Sequence, residues 1–382
     1  MSFFQLGFRP FYAVASIFAV VAVIVWLRSF TGISGTGVYL QSVVWHSHEM
    51  LFGFSAAVIA GFLFTAVQNW TGQATPTGVA LAGLTALWLA ARVLIIVGPA
   101  PLAAIADVLF LPAIAVAIAI PVLRSNNVRN YKVVAIVFVL AALHGLFHLA
   151  SLAYAPAWLS RISLLASIDI VVILMAIIGG RVIPAFTKNA AADSNPRHEY
   201  WVEVATFGSM ILVVLLTVVS GRWAVPSALT SLLFIVAAGA HATRLGLWDP
   251  IKTVHNPLLW MMPAAYSWIP FAFLLRALAA MNIVPGSAWL HAVTMGAVSS
   301  LMLAMMMRSS LGHTGRPLVA SRWDMTAFLL LQLGTIIRVF ASIAAVDSYS
   351  SWIVVSGAIW LSAFVLFAVR YVPMLSRPRV SG

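Results

Sequence analysis

The chain has 382 residues, of which 63% are hydrophobic and only 8% charged, with a formal net charge of +12 and no cysteine. A soluble domain carries about 25% charged residues, so this composition excludes a water-soluble globular protein and points to a chain that crosses a membrane many times. Disulfides, thiolate ligands and cysteine-bound iron–sulfur clusters are excluded too, and the basic residues sit in short segments between apolar runs, so they predict membrane orientation and no nucleic-acid partner.

Apolar stretches of about 20 residues mark spans. They fall near 11–28, 44–67, 78–97, 101–123, 132–153, 160–181, 202–220, 225–246, 255–280, 287–308, 323–345 and 350–371. The fold class is therefore all-α, a polytopic integral membrane helix bundle of about twelve transmembrane helices, read as a single transmembrane domain over 1–382. The first run, Phe11 to Leu27, is longer than a signal-peptide core of about 7–15 residues and is followed by Arg28 instead of a small-residue cleavage site. Gly98-Pro99-Ala100-Pro101 predicts a tight break between spans three and four. Gly179-Gly180, Arg181, Pro184 and Lys188 predict a sharp stop at the end of span six.

Loop charge sets orientation. One set of alternate loops carries Arg124, Arg129, Lys132, Arg181, Lys188, Arg197, Arg244, Lys252, Arg308, Arg316 and Arg322, and both termini join it through Arg9, Arg370, Arg377 and Arg379. The opposite set offers Arg28, Arg161 and Arg222, with Arg92 assigned beside them. Both termini are expected in the cytoplasm, N-in and C-in. A weak internal echo relates 45–72 to 288–315, placing His48 over His291, Gly53 over Gly296 and Thr71-Gly72 over Thr314-Gly315.

Histidine placement carries the functional signal, because ionisable groups at membrane depth are rare and usually functional. On this topology His46, His48, His144, His148 and His291 share one outer layer, whereas His198, His241, His255 and His313 lie toward the cytoplasm. His144 and His148 are four apart and face the same way. His46 and His48 are two apart, so on a regular helix they diverge by roughly 200°. Imidazole suits iron, copper and zinc, and all five are candidate metal or haem ligands. Glu49 is a candidate to orient an imidazole or deliver protons; the alternative is a solvated interfacial carboxylate. Arg276 and Arg338 are candidates to hold haem propionates, or else to neutralise Asp107 or Asp169 as structural ion pairs.

Leu6–Tyr12 (LGFRPFY), Trp45–Phe54 (WHSHEMLFGF), Thr65–Gly72 (TAVQNWTG), Gly179–Asn189 (GGRVIPAFTKN) and His291–Leu318 together resemble the NnrS family. The resemblance implies a multi-pass protein of the bacterial cytoplasmic membrane that carries haem and copper and takes part in nitric oxide metabolism or resistance to nitrosative stress. It covers His46, His48, His291 and His313; His144 and His148 rest on position and spacing alone. The haem the resemblance implies is taken as haem b; with no c-type attachment motif and no soluble redox domain, membrane quinol is the expected donor.

The expected partners are nitric oxide, the lipid bilayer and membrane quinol as electron donor, in an enzyme of nitric oxide reductase type. The helices differ from those of the haem–copper oxidases, since no adjacent histidine pair occurs among the central spans. Two further classes compete: a non-catalytic haem-based sensor or buffer of nitric oxide, and a transporter of a metal or metal complex. Oligomeric state leaves no trace in the sequence.

Overall fold

A computed structural model describes residues 2–37, 39–190 and 193–380. Twelve helices in it are long and apolar enough to cross a membrane: α1 (Phe8–Phe30), α2 (Ser42–Thr71), α3 (Gly78–Val97), α4 (Ala100–Arg124), α5 (Val128–Ser151), α6 (Trp158–Asn189), α7 (Tyr200–Ser220), α8 (Ser227–Gly246), α9 (Pro257–Ala280), α10 (Gly286–His313), α11 (Arg322–Ala344) and α12 (Val346–Ser376). No strand occurs among the described residues. The reason is solvation: the bilayer core offers backbone groups no water, and a helix satisfies all but its ends internally.

The Gly-Pro-Ala-Pro break stands as expected, with α3 ending at Val97 and α4 starting at Ala100. The stop expected at Gly179–Lys188 does not occur, because α6 runs on to Asn189 with Pro184 inside it. A proline removes one intrahelical donor, and the turn around it is retained, with the Thr187 hydroxyl donating to the Ile183 carbonyl at 2.9 Å. Gly180 serves close approach instead of termination: a Cβ there would lie 2.2 Å from an Nη atom of Arg244.

The chain forms two compact units. The first comprises Met1–Ser167, Ser309–Pro317 and Phe364–Gly382; the second comprises Ile168–Arg308 and Leu318–Ala363. In the first unit α2 is the enclosed element: almost every side chain from Leu51 to Val67 is buried, whereas α3 buries one face through Leu81, Trp88, Ala91 and Ile95. α1 meets α2 at Gly61, where an added Cβ would lie 3.0 Å from Phe11 Cβ. Small residues let membrane helices approach in this way. In the second unit α8 packs between α7 and α9.

α2 and α10 each contain a π-helical segment, Glu49–Ser55 and Ala292–Ser299, beginning one residue after His48 and His291. π turns are rare and concentrate at functional sites. Each also presses a glycine against an aromatic ring: a Cβ on Gly53 would lie 2.6 Å from Phe18, and one on Gly296 would lie 2.5 Å from Trp268. A left-handed glycine follows each helix, Gly72 directly after α2 at φ +65° and Gly315 two residues after α10 at φ +75°. In α2 the wide turn also leaves the Gly53 carbonyl accessible to the Trp88 indole N–H, at 3.0 Å. Gly53→Ala is expected to destabilise the protein by about 1–3 kcal/mol through overpacking, read as a fall in thermal midpoint. Phe18→Ala on the same background should recover part of it.

Candidate metal centre

Three elements of the first unit supply four donors. α2 brings His48 to the last position before its π turn, α4 brings Asp107, and α5 brings His144 and His148 from one face. All four are buried, none more than 2% exposed. The Asp107 Oδ2 atom lies 3.0 Å from His48 Nε2 and 3.1 Å from both His144 Nε2 and His148 Nε2. His144 Nε2 is 3.2 Å from His48 Nε2 and 3.1 Å from His148 Nε2. A tetrahedron with bonds of about 2.0 Å has edges of about 3.3 Å, close to these five separations.

His48 Nδ1 lies 2.9 Å from Glu49 Oε1, so its N–H donates to that carboxylate. Asp107 Oδ2 accepts from the imidazole N–H groups that face it, at 3.0–3.1 Å. Without an ion, protons on Nε2 atoms hold the group together through that carboxylate; with those protons lost, the same four atoms present lone pairs toward one point. The donor set, three imidazoles and one carboxylate, suits copper, iron or zinc. Four donors, five of whose pairs stand 3.0–3.2 Å apart and all of which lie within 4.8 Å, enclose room for one ion and not for a porphyrin plane.

A second layer holds the donors. Arg92 pairs with Asp107 Oδ1 through Nη2 and reaches both Glu49 oxygens through Nη1 at 2.8 Å. Tyr39 OH lies 2.8 Å from His148 Nδ1. Burial, and then the Asp107 carboxylate, push the Tyr39 phenol above its ordinary value, so it stays protonated. Phe52 stacks on His144 at 4.0 Å between ring centroids, and Phe147 stacks on His48 at 4.9 Å. Among the described residues His144 Nδ1 has no hydrogen-bond partner. Outer partners fix the tautomer and raise ligand basicity, and their loss typically weakens metal binding about 10–100-fold. Tyr39→Phe is therefore expected to weaken metal affinity by about that factor at unchanged fold. A competition titration with a chelator measures it.

The sequence candidates divide. His48, His144 and His148 meet; His46, on the opposite side of α2, stacks on Trp26 at 4.1 Å, the divergence expected of a two-residue spacing. Glu49 is 1% exposed, not the solvated carboxylate of the alternative reading. His291 belongs to the second unit, where its Nδ1–H donates to the Ser287 carbonyl at 2.7 Å. Arg276, also in the second unit, is bonded to Asp169 at 2.6 Å and to Thr217 at 2.8 Å. Arg338 donates to Tyr349 OH at 2.9 Å. Arg92, assigned by sequence to a loop, is instead 5% exposed and central to the cluster. The available signal was its place five residues before the end of an apolar run, where a cation requires a carboxylate.

Over residues 2–379 the chain matches the protein family described as NnrS protein. No curated protein matches it.

Proposed function

Since the chain belongs to the NnrS family, we propose that it is a bacterial inner-membrane metalloprotein of nitric oxide metabolism, with a redox-active ion, copper before iron, held by His48, Asp107, His144 and His148. The observation that carries this reading is the convergence of three Nε2 atoms and one carboxylate oxygen within a buried group. Such an ion would supply electron exchange with nitric oxide.

Charge balance allows a cation. With neutral imidazoles, Glu49 and Asp107 against Arg92 leave one negative charge in excess, which a bound ion, or a proton on His48 between the two carboxylates, offsets. Glu49 and Tyr39 orient imidazoles; Arg92 fixes both carboxylates; Phe52 and Phe147 exclude water. Nitric oxide is small and uncharged, and it reaches such a site through lipid without a polar channel.

A haem b, implied by the resemblance, requires a place other than this four-donor group; His46 in the first unit or His291 in the second is left as a histidine candidate for it. Electrons would come from membrane quinol. The shared π turns and terminal glycines support reading 45–72 and 288–315 as a repeat. The N-in, C-in orientation stays as proposed from loop charge.

Elemental analysis of the purified protein tests the reading. The wild type should carry one copper or iron at the cluster. His48→Ala, His144→Ala and His148→Ala should each lose it, while His198→Ala, whose exposed ring lies 3.9 Å from Glu203, should keep it. Wild-type levels of metal in all three cluster variants would sink the proposal. Nitric oxide consumption with a quinol then separates an enzyme from a buffer or sensor, which binds without turnover.

A further inference from the structure

The first unit has a second concentration of charge, far poorer in compensation than the metal cluster. Its carboxylate side chains, among the described residues, are Glu49 and Asp107, both spent on the cluster. Where α1 begins and α10 and α12 end, three arginines gather, and the first unit has no further acid for them among its described residues. Arg9 is the second residue of α1 and only 2% exposed. Its Nη1 donates to the carbonyl of Leu375 at 3.0 Å and to that of Arg377, which draws the segment after α12 over the start of α1. Arg316 lies near enough for the two like charges to repel.

The chain after α12 is seated by a turn. Gly315 has φ +75°, and a Cβ on it would lie 2.4 Å from the Val380 carbonyl and 3.2 Å from Arg379 Cγ. The Val380 N–H donates to the Thr314 carbonyl at 3.0 Å. Arg379 thus overlies the residue next to Arg316, and it lies within electrostatic range of His313.

Two buried guanidinium nitrogens here, Arg9 Nε and Arg316 Nη1, have no hydrogen-bond partner among the described residues. An unsatisfied buried donor costs about 1–3 kcal/mol, more when charged. Guanidinium donors match phosphate oxygens in geometry and charge. Arg316 stands three residues past the end of α10 and Arg379 three past the end of α12, so all three arginines are within a helical turn of a span end, the depth of lipid headgroups.

We propose that Arg9, Arg316 and Arg379 form a binding site for the phosphodiester of an anionic lipid headgroup. The bound phosphate satisfies the two orphaned donors, relieves the repulsion between Arg9 and Arg316, and clamps the segment 377–380 onto Gly315. This site does not depend on the metal reading.

Thermal unfolding of the full-length protein with added lipid tests it. Phosphatidylglycerol should raise the midpoint above the value in phosphatidylcholine, and Arg316→Gln should remove more than half of that increment. Arg316→Gln leaves the Arg9 bonds to the chain after α12 intact, so it separates ligand loss from misfolding. Arg161→Gln, on an exposed arginine of the same unit, should keep the whole increment. Native mass spectrometry should find phosphatidylglycerol retained by the wild type and lost from Arg316→Gln. Equal midpoints in the two lipids, or a full increment in Arg316→Gln, overturns the proposal. Inorganic phosphate reproducing the increment in phosphatidylcholine overturns the lipid assignment.

Discussion

Asp107→Ala should abolish metal binding and lower stability by about 3–5 kcal/mol, the cost of leaving a buried charge unpaired. Asp107 is the hub of the cluster: Oδ2 meets three imidazoles at 3.0–3.1 Å and Oδ1 takes Arg92. Its removal strands a guanidinium that is 5% exposed, with Glu49 as its remaining partner, and leaves three Nε2 atoms without a carboxylate. Asp107→Asn separates the two losses. The amide keeps the shape and one carbonyl oxygen, so most of the fold should survive, but the negative charge that attracts an ion is gone. Metal analysis and thermal unfolding on both variants read the effects independently. An Asp107→Ala protein with wild-type stability would mean that Arg92 relaxes to water and that the group is not closed. An Asp107→Asn protein with wild-type metal content would remove the carboxylate from the ligand set.

The same contrast explains how far the sequence could be read. The twelve spans were legible because one physical requirement, an apolar length of about 20 residues, acts on every segment of the chain. His144 and His148 were legible for a similar local reason, since four-residue spacing fixes a common helix face. Asp107 could be flagged as a charge needing a partner, but Arg276 and Arg338 appeared equally eligible. Which cation meets which carboxylate is decided by helix packing, and no local pattern records it. Tyr39 left no trace at all, being a tyrosine in the segment between α1 and α2 that reaches His148 by tertiary contact. The expected stop at Gly179–Lys188 failed for a related reason. Glycine and proline there carry the composition of a helix end, but Gly180 answers to Arg244 on α8.

In the second unit, Arg276→Leu should cost about 3–5 kcal/mol, and Asp169→Leu with Arg276→Leu should recover most of it. Arg276 donates to both Asp169 oxygens, at 2.6 and 3.2 Å, and to the Thr217 hydroxyl at 2.8 Å. Its guanidinium also lies 4.4 Å from the Trp289 ring centroid and 4.7 Å from that of Phe234. The single variant removes the cation and leaves Asp169, 3% exposed, with a hydroxyl as its sole remaining side-chain partner among the bonds described. A cavity of about 10 Å³ borders the pair, between Val172 and Val293. The double variant removes both charges and presents leucine to an already apolar wall. Thermal midpoints of the two variants against wild type decide the matter. If the double variant is as unstable as the single one, the pair does more than neutralise itself, and the haem-propionate role weighed for Arg276 regains force. Recovery in the double variant with unchanged metal content would mark Asp169 and Arg276 as structural, and leave the histidine cluster of the first unit as the chemically active part of the molecule.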